Sequence, residues 1–190
     1  SNGVDTRYFA ANRKPGKKFM TSWVDRENNN VCDYLDFADA VLRIPKAHEM
    51  VAKYTVLDDK EKCLKILRPY QIHAIEAIRE ASKVGKSGFV WHTTGSGKTI
   101  TSYKVSRNLL MDIPSIDKTV FLIDRKDLDN QTNESFAAYA VNDIVDVDKT
   151  DYVGDLMKKL TDNNRNMIIT TRQKLQIIIS KRLKEGTREY

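Results

Sequence analysis

Long apolar runs are absent: no stretch approaches the roughly 18 residues that a bilayer-crossing helix needs, and the amino terminus has no basic-then-apolar signal pattern. A soluble, unexported, cytoplasmic chain is the expectation. Cysteine is scarce, with Cys32 and Cys63 far apart and no ligand-spaced partners around either, which argues against a zinc site and a disulfide framework. Two reduced, mostly buried thiols are expected instead. Histidine is scarce too, and neither His48 nor His73 has a motif around it. No internal repeat or low-complexity segment is present. Aromatic residues, at 8%, are nevertheless too plentiful for general disorder, and 41% hydrophobic with 31% charged residues is ordinary for a globular chain.

With 190 residues the chain has room for one large domain, or one domain and a piece of another. Its net charge of +6 is concentrated at the two ends. The first cluster is Arg7, Arg13, Lys14, Lys17 and Lys18 against Asp5. The second is Arg172, Lys174, Lys181, Arg182, Lys184 and Arg188 against Glu185 and Glu189. Both suit nucleic acid, and both suit plain solvation equally well.

Residues 1–60 read differently from the rest. Arg7–Ala10 and Phe19–Val24 look like short strands around a polar loop with Pro15-Gly16. A helix follows with Val31, Leu35, Ala38 and Leu42 on one face, and a second runs from Pro45 through Met50, Val51 and Tyr54. After Asp58-Asp59-Lys60 the pattern becomes regular. Pro69 opens a helix with Ala74, Ile75, Ile78 and Ala81 on one face. Three apolar runs come next, Phe89–Trp91, Val120–Ile123 and Met167–Ile169, each followed by a helix. Runs without alternation suit strands buried on both faces, so an α/β fold with a parallel sheet between helices is expected.

Between the first of these runs and the helix after it stands His92-Thr93-Thr94-Gly95-Ser96-Gly97-Lys98-Thr99. Gly-Ser-Gly-Lys-Thr between a strand and a helix has the context of a phosphate-binding P-loop. Glycines let successive amides turn toward phosphate oxygens, and the helix terminus adds partial positive charge. Lys98 would reach the β- and γ-phosphates and the Thr99 hydroxyl would ligate Mg²⁺. The strict pattern has glycine where His92 stands, and His92 is read as a positional substitute without a catalytic role. Hydrolysis also needs acids. Asp124 ends an apolar run, but Arg125 follows it in place of a glutamate, so Asp124 is read as a polar residue at a strand end. No Asp-Glu pair follows any apolar run, and the catalytic acids are expected outside this chain.

Four segments in order resemble the motor of superfamily 2 helicases and, more narrowly, the restriction (R, HsdR-type) subunit of type I restriction-modification enzymes. They are Leu67–Gln71, Trp91–Thr99, Asp124–Thr132 and Ile168–Leu175. The Trp-His lead into the P-loop and Asp-Arg-Lys-Asp-Leu-Asp after the next strand are the discriminating ones. Residues 1–9 also look like that subunit's segment between nuclease and motor. The resemblance implies a RecA-like P-loop sheet over residues 61–190, cut before its Walker B strand, preceded by an α+β tail of an upstream nuclease domain over residues 1–60. It implies ATP and Mg²⁺ as cofactors, with Arg68, Gln71, Thr94, Gly95, Ser96, Gly97, Lys98 and Thr99 binding nucleotide. Lys98 and Thr99 would carry catalysis, Thr99 the magnesium through the nucleotide, and Gln71 would read the adenine edge. Arg125, Lys126, Gln131, Thr170 and Thr171 would hold a DNA strand without reading its sequence.

By the same resemblance the whole protein is a type I, ATP-dependent deoxyribonuclease subunit with DNA-dependent ATPase, translocating double-stranded DNA beside modification and specificity subunits. These residues alone are expected to be nearly inactive. The rivals are a repair helicase without nuclease and a non-hydrolysing nucleotide-binding assembly module.

Overall fold

The computed structural model describes residues 1–11, 20–123 and 126–186, with side chains described for all of these except 126–131 and 182–186. Two compact units make up the chain, residues 1–96 and 97–190.

The first unit opens with an antiparallel three-stranded sheet, β1 (Arg7–Tyr8), β2 (Thr21–Val24) and β3 (Asn30–Val31), with Trp23 opposite Val31. Trp23 is buried and touches the Tyr8 ring at 6.1 Å and the His73 ring at 5.7 Å. Helix α1 (Tyr34–Phe37) starts at Asp33, whose carboxylate accepts the Leu35 and Asp36 N–H groups as an N-cap. It runs on into a π-helical turn, Ala38–Leu42.

That geometry overturns the expected face. Val31 goes into β3, and the wide turn, closed by Arg43 N–H to the Ala38 carbonyl at 3.0 Å, shifts the phase of the helix. Phe37 and Val41 are therefore the buried residues, while Leu35 and Leu42 are 62% and 60% exposed. Helix α2 spans Lys46–Ala52, with Pro45 one position before it as the cap and Val51 pointing outward.

Asp58-Asp59-Lys60, where the sequence pattern changes, lies in the turn of a hairpin. Strands β4 (Thr55–Asp58) and β5 (Cys63–Ile66) pair antiparallel, and Asp58 braces the turn by accepting the Glu61 N–H at 3.0 Å and the Lys65 ammonium. Helix α3 (Pro69–Lys83) buries Pro69, Gln71, Ile72 and Ile75, a face one turn nearer its start than the alanine-rich one expected. Its Glu76 gathers Lys46 at 2.7 Å, Tyr54 at 3.2 Å and Arg26 at 3.3 Å. Burial pushes that carboxyl up, but Lys46, Arg26 and Tyr54 hold it below the usual range. Cys63 is half-buried and Cys32 exposed, so the expectation of buried thiols holds for neither fully.

The second unit is the expected α/β layer. Helix α4 (Lys98–Asp112) is followed by β6 (Lys118–Ile123), α5 (Lys126–Ala140), β7 (Asp146–Lys149), α6 (Val153–Thr161), β8 (Asn166–Thr171) and α7 (Arg172–Gly186). The sheet is parallel in the order β6-β8-β7, so β8 is central and all six of its residues are buried. Ile168 packs with Leu156 of α6 and Ile178 of α7. Phe136 of α5 lies 5.1 Å from the Phe121 ring and 5.6 Å from the Tyr103 ring of α4. β7 is polar in sequence and gives no apolar run; Asp148 on it binds Lys159 at 3.0 Å and the Asn166 side chain.

The run Phe89–Trp91 departs from expectation. It pairs with no strand among the described residues, and Phe89 and Trp91 are 86% and 89% exposed. A strand exists only through ladder partners, and this run has none among the described residues.

Candidate functional site

Arg68, Tyr70 and the loop 91–96 enclose a cleft of about 480 Å³ in the first unit. Its floor is a β-turn, Thr93-Thr94-Gly95-Ser96, with the Ser96 N–H donating to the Thr93 carbonyl at 3.4 Å. Gly95 is the third residue of that turn with φ +75°, a left-handed conformation that glycine adopts without strain. A Cβ on Gly95 would meet nothing within 4 Å, so the backbone conformation, not crowding by protein, selects glycine there. The same open side leaves room for a phosphate beside the loop.

Ser96 is held on every polar atom. Its hydroxyl donates to the Thr93 carbonyl at 2.7 Å and sits 2.9 Å from His92 Nδ1. Its carbonyl accepts the Tyr70 hydroxyl at 2.8 Å and Gln71 Nε2 at 3.2 Å, both from the first turn of α3. The Tyr70 and His92 rings meet edge-on at 5.9 Å. Gln71 is only 4% exposed, and its Oε1 accepts the Arg68 N–H at 2.9 Å.

In the second unit, Gly97 caps α4 with φ +79° and ψ 36°, and its carbonyl accepts both the N–H and the hydroxyl of Thr101. Lys98 and Thr99 are the first two residues of α4. That puts a 15-residue helix's amino-terminal amides and partial positive charge behind them.

The expected DNA-contacting residues fare differently. Asp124 and Arg125 lie outside the described residues, and of Lys126 and Gln131 only their place in α5 is described. Thr170 and Thr171 do end β8 at its carboxyl edge, but they are 1% and 6% exposed. The Thr170 hydroxyl lies 2.9 Å from that of Thr150, and Thr171 Oγ1 accepts the Lys174 N–H at 3.4 Å. Both hydroxyls thus accept hydrogen bonds from within the protein.

Three residues escaped sequence reasoning. Tyr70 joins the site through a bond to a residue more than twenty positions away and His92 through a bond to Ser96 four positions on, neither of which periodicity encodes. Lys104 of α4 is 3% exposed; burial, with Arg107 adding to it and Asp143 opposing, pushes its ammonium down to about 8. Its sequence neighbourhood reads as an ordinary solvated lysine. Among the described residues no helix is long and apolar enough to cross a membrane, and no cluster of His, Cys, Asp or Glu is arranged to hold a metal.

Residues 70–189 match the family model of the SWI2/SNF2 ATPase. The SauCOLORF180P type I restriction enzyme endonuclease subunit of Staphylococcus aureus (strain COL) is 42% identical over 177 residues, 92% of this chain and 19% of that protein. The Mycoplasma pneumoniae protein described as the carboxyl-terminal part of the putative MpnIIP endonuclease of a type I restriction enzyme is 37% identical over 176 residues, 85% of this chain and 82% of that protein. A solved structure of a nuclease-deletion mutant of the Type ISP restriction-modification enzyme LlaGI, in complex with a DNA substrate mimic, is 20% identical. It covers 64% of this chain and 14% of that one, with a TM-score of 0.48. The chain therefore spans about a fifth of the length of the staphylococcal relative, and most of that relative has no counterpart here.

Proposed function

Since the chain belongs to the SWI2/SNF2 ATPases and to the endonuclease subunits of type I restriction enzymes, we propose that it binds ATP·Mg²⁺ as the nucleotide-binding part of a motor that translocates double-stranded DNA before the duplex is cut. The observation that carries this reading is Ser96. Side chains from the start of α3 and from His92 fix it, which pre-shapes the turn that a phosphate cradle requires.

The residues present fit the nucleotide. Gly95 and Gly97 hold the positive φ values that a nest of inward amides needs, and the side of Gly95 where a Cβ would stand is open. Lys98 would neutralise the β- and γ-phosphates, and the Thr99 hydroxyl would hold Mg²⁺ against them. Magnesium would supply charge neutralisation on the phosphates. Arg68, Tyr70 and Gln71 border the loop from α3. Gln71 holds the P-loop carbonyl in this arrangement, and pairing with adenine would compete with that bond. The strand-holding roles of Arg125, Lys126, Gln131, Thr170 and Thr171, and assembly with modification and specificity subunits, rest on the family resemblance.

The test is DNA-stimulated ATP hydrolysis by the full-length protein. Loss of that hydrolysis in Lys98→Ala, with folding intact, is the expected result. A full-length protein without DNA-stimulated hydrolysis would favour the non-hydrolysing assembly module.

A further inference from the structure

We infer that His92 is a positioning residue of the nucleotide site: its Nδ1–H holds the Ser96 hydroxyl and so sets the shape of the P-loop turn. The proposal rests on the ATP-binding reading above. The Ser96 hydroxyl has one hydrogen, and the Thr93 carbonyl 2.7 Å away can only accept it. The oxygen of Ser96 must then be the acceptor from His92 Nδ1 at 2.9 Å, so the ring carries a hydrogen on Nδ1. A glycine, which the strict pattern has at this position, offers no such donor.

The ring is itself held. Tyr70 packs edge-on against it, and the Tyr70 hydroxyl takes the Ser96 carbonyl at 2.8 Å. His92 and Tyr70 thus grip the same serine from its two ends, hydroxyl and carbonyl, and the turn between them has its closing residue fixed. Residues Thr94 and Gly95, which supply amides to the cradle, lie between the two anchored positions Thr93 and Ser96. Loosening His92 frees that span without touching a phosphate ligand.

The experiment measures Mg·ATP binding and steady-state hydrolysis by the full-length protein. His92→Ala should weaken ATP binding by roughly 5- to 10-fold, the worth of one net hydrogen bond, and raise KM with kcat within about twofold. Asn at this position carries an N–H near the place of Nδ1, so His92→Asn should recover most of the affinity. Ser96→Ala should resemble His92→Ala, and the double variant should be no weaker than the weaker single one.

Three results overturn the proposal: His92→Ala binding like the wild type, His92→Asn as weak as His92→Ala, or losses that multiply in the double variant. Should His92→Ala not fold, His92→Asn and Ser96→Ala decide the matter by the same criteria. Lys98→Ala separates the two levels. If it abolishes binding while His92→Ala and Ser96→Ala are silent, only the His92 role falls. If the wild-type protein itself shows no Mg·ATP binding, the ATP-binding reading falls and the His92 role with it.

Discussion

Gln71 Nε2 donates to the Ser96 carbonyl across 3.2 Å, while Oε1 of the same amide accepts the Arg68 N–H at 2.9 Å. One side chain therefore ties the start of α3 to the turn of the P-loop. The residue is 4% exposed and in this arrangement its amide serves the loop.

Gln71→Ala should accordingly reduce ATP and GTP affinity together, by roughly 5- to 10-fold, since the loss is of loop order and not of base pairing. Loss of the bond back to Arg68 should also cost the helix start about 1 kcal/mol. Competition titrations with both nucleotides check this. Adenine pairing predicts instead that the ATP-over-GTP preference collapses.

Tyr70→Phe keeps the ring against His92 and removes only the 2.8 Å bond to the Ser96 carbonyl. With Gln71 still donating, KM for ATP should rise by only about two- to fivefold. Combining it with Gln71→Ala should cost more than the product of the two, because the carbonyl then loses both protein donors. Simple multiplication in a double-mutant cycle would refute the shared anchor.

What the sequence made legible was chemistry carried by local pattern. Gly-Ser-Gly-Lys-Thr located the turn and the start of α4, and the uninterrupted apolar stretch 167–169 marked a strand buried on both faces, now the centre of the sheet. What it hid depends on partners distant in the chain. Phe89–Trp91 has the composition of a strand, yet strand formation is a property of a pair. β7 is held by its ladder to β8 and by Asp148, none of which an apolar pattern registers. The face through Leu35 and Leu42 failed because one π-helical turn breaks the 3.6-residue repeat on which the reading relied. His92 looked like a passive substitute because a hydrogen bond to the residue four positions on, inside a turn, leaves no mark in composition.

Thr170 distinguishes a structural threonine from a DNA-contacting one. It is 1% exposed and its hydroxyl meets that of Thr150 at 2.9 Å, so Thr170→Val should lower stability by about 1 kcal/mol in urea titrations. DNA affinity at matched salt should stay within about twofold of the wild type. A large loss of DNA binding with unchanged stability would return Thr170 to the DNA-contacting set.

Lys104 gives the second unit a pH dependence opposite in sign to that of a paired surface lysine. Burial lowers its folded pKa to about 8, against roughly 10.4 in an unfolded chain. Below about pH 8 both states hold the proton and the folded state carries the full cost of a buried ammonium. Between about pH 8 and 10.4 the unfolded state binds the proton that the folded state has released, so stability rises with pH. The neighbouring Tyr103 acts the other way at higher pH. Burial and Asp143 raise its folded pKa, so its contribution is complete below about pH 10 and is lost above that. Lys104→Met keeps the aliphatic length and removes the charge. It should stabilise the fold at pH 7 by on the order of 1–3 kcal/mol and flatten the rise between about pH 8 and 10. Urea titrations of both proteins across pH 7 to 10 test this; a wild-type stability that does not rise over that interval, or a methionine variant less stable at pH 7, would show that Lys104 is paired and charged in the folded chain.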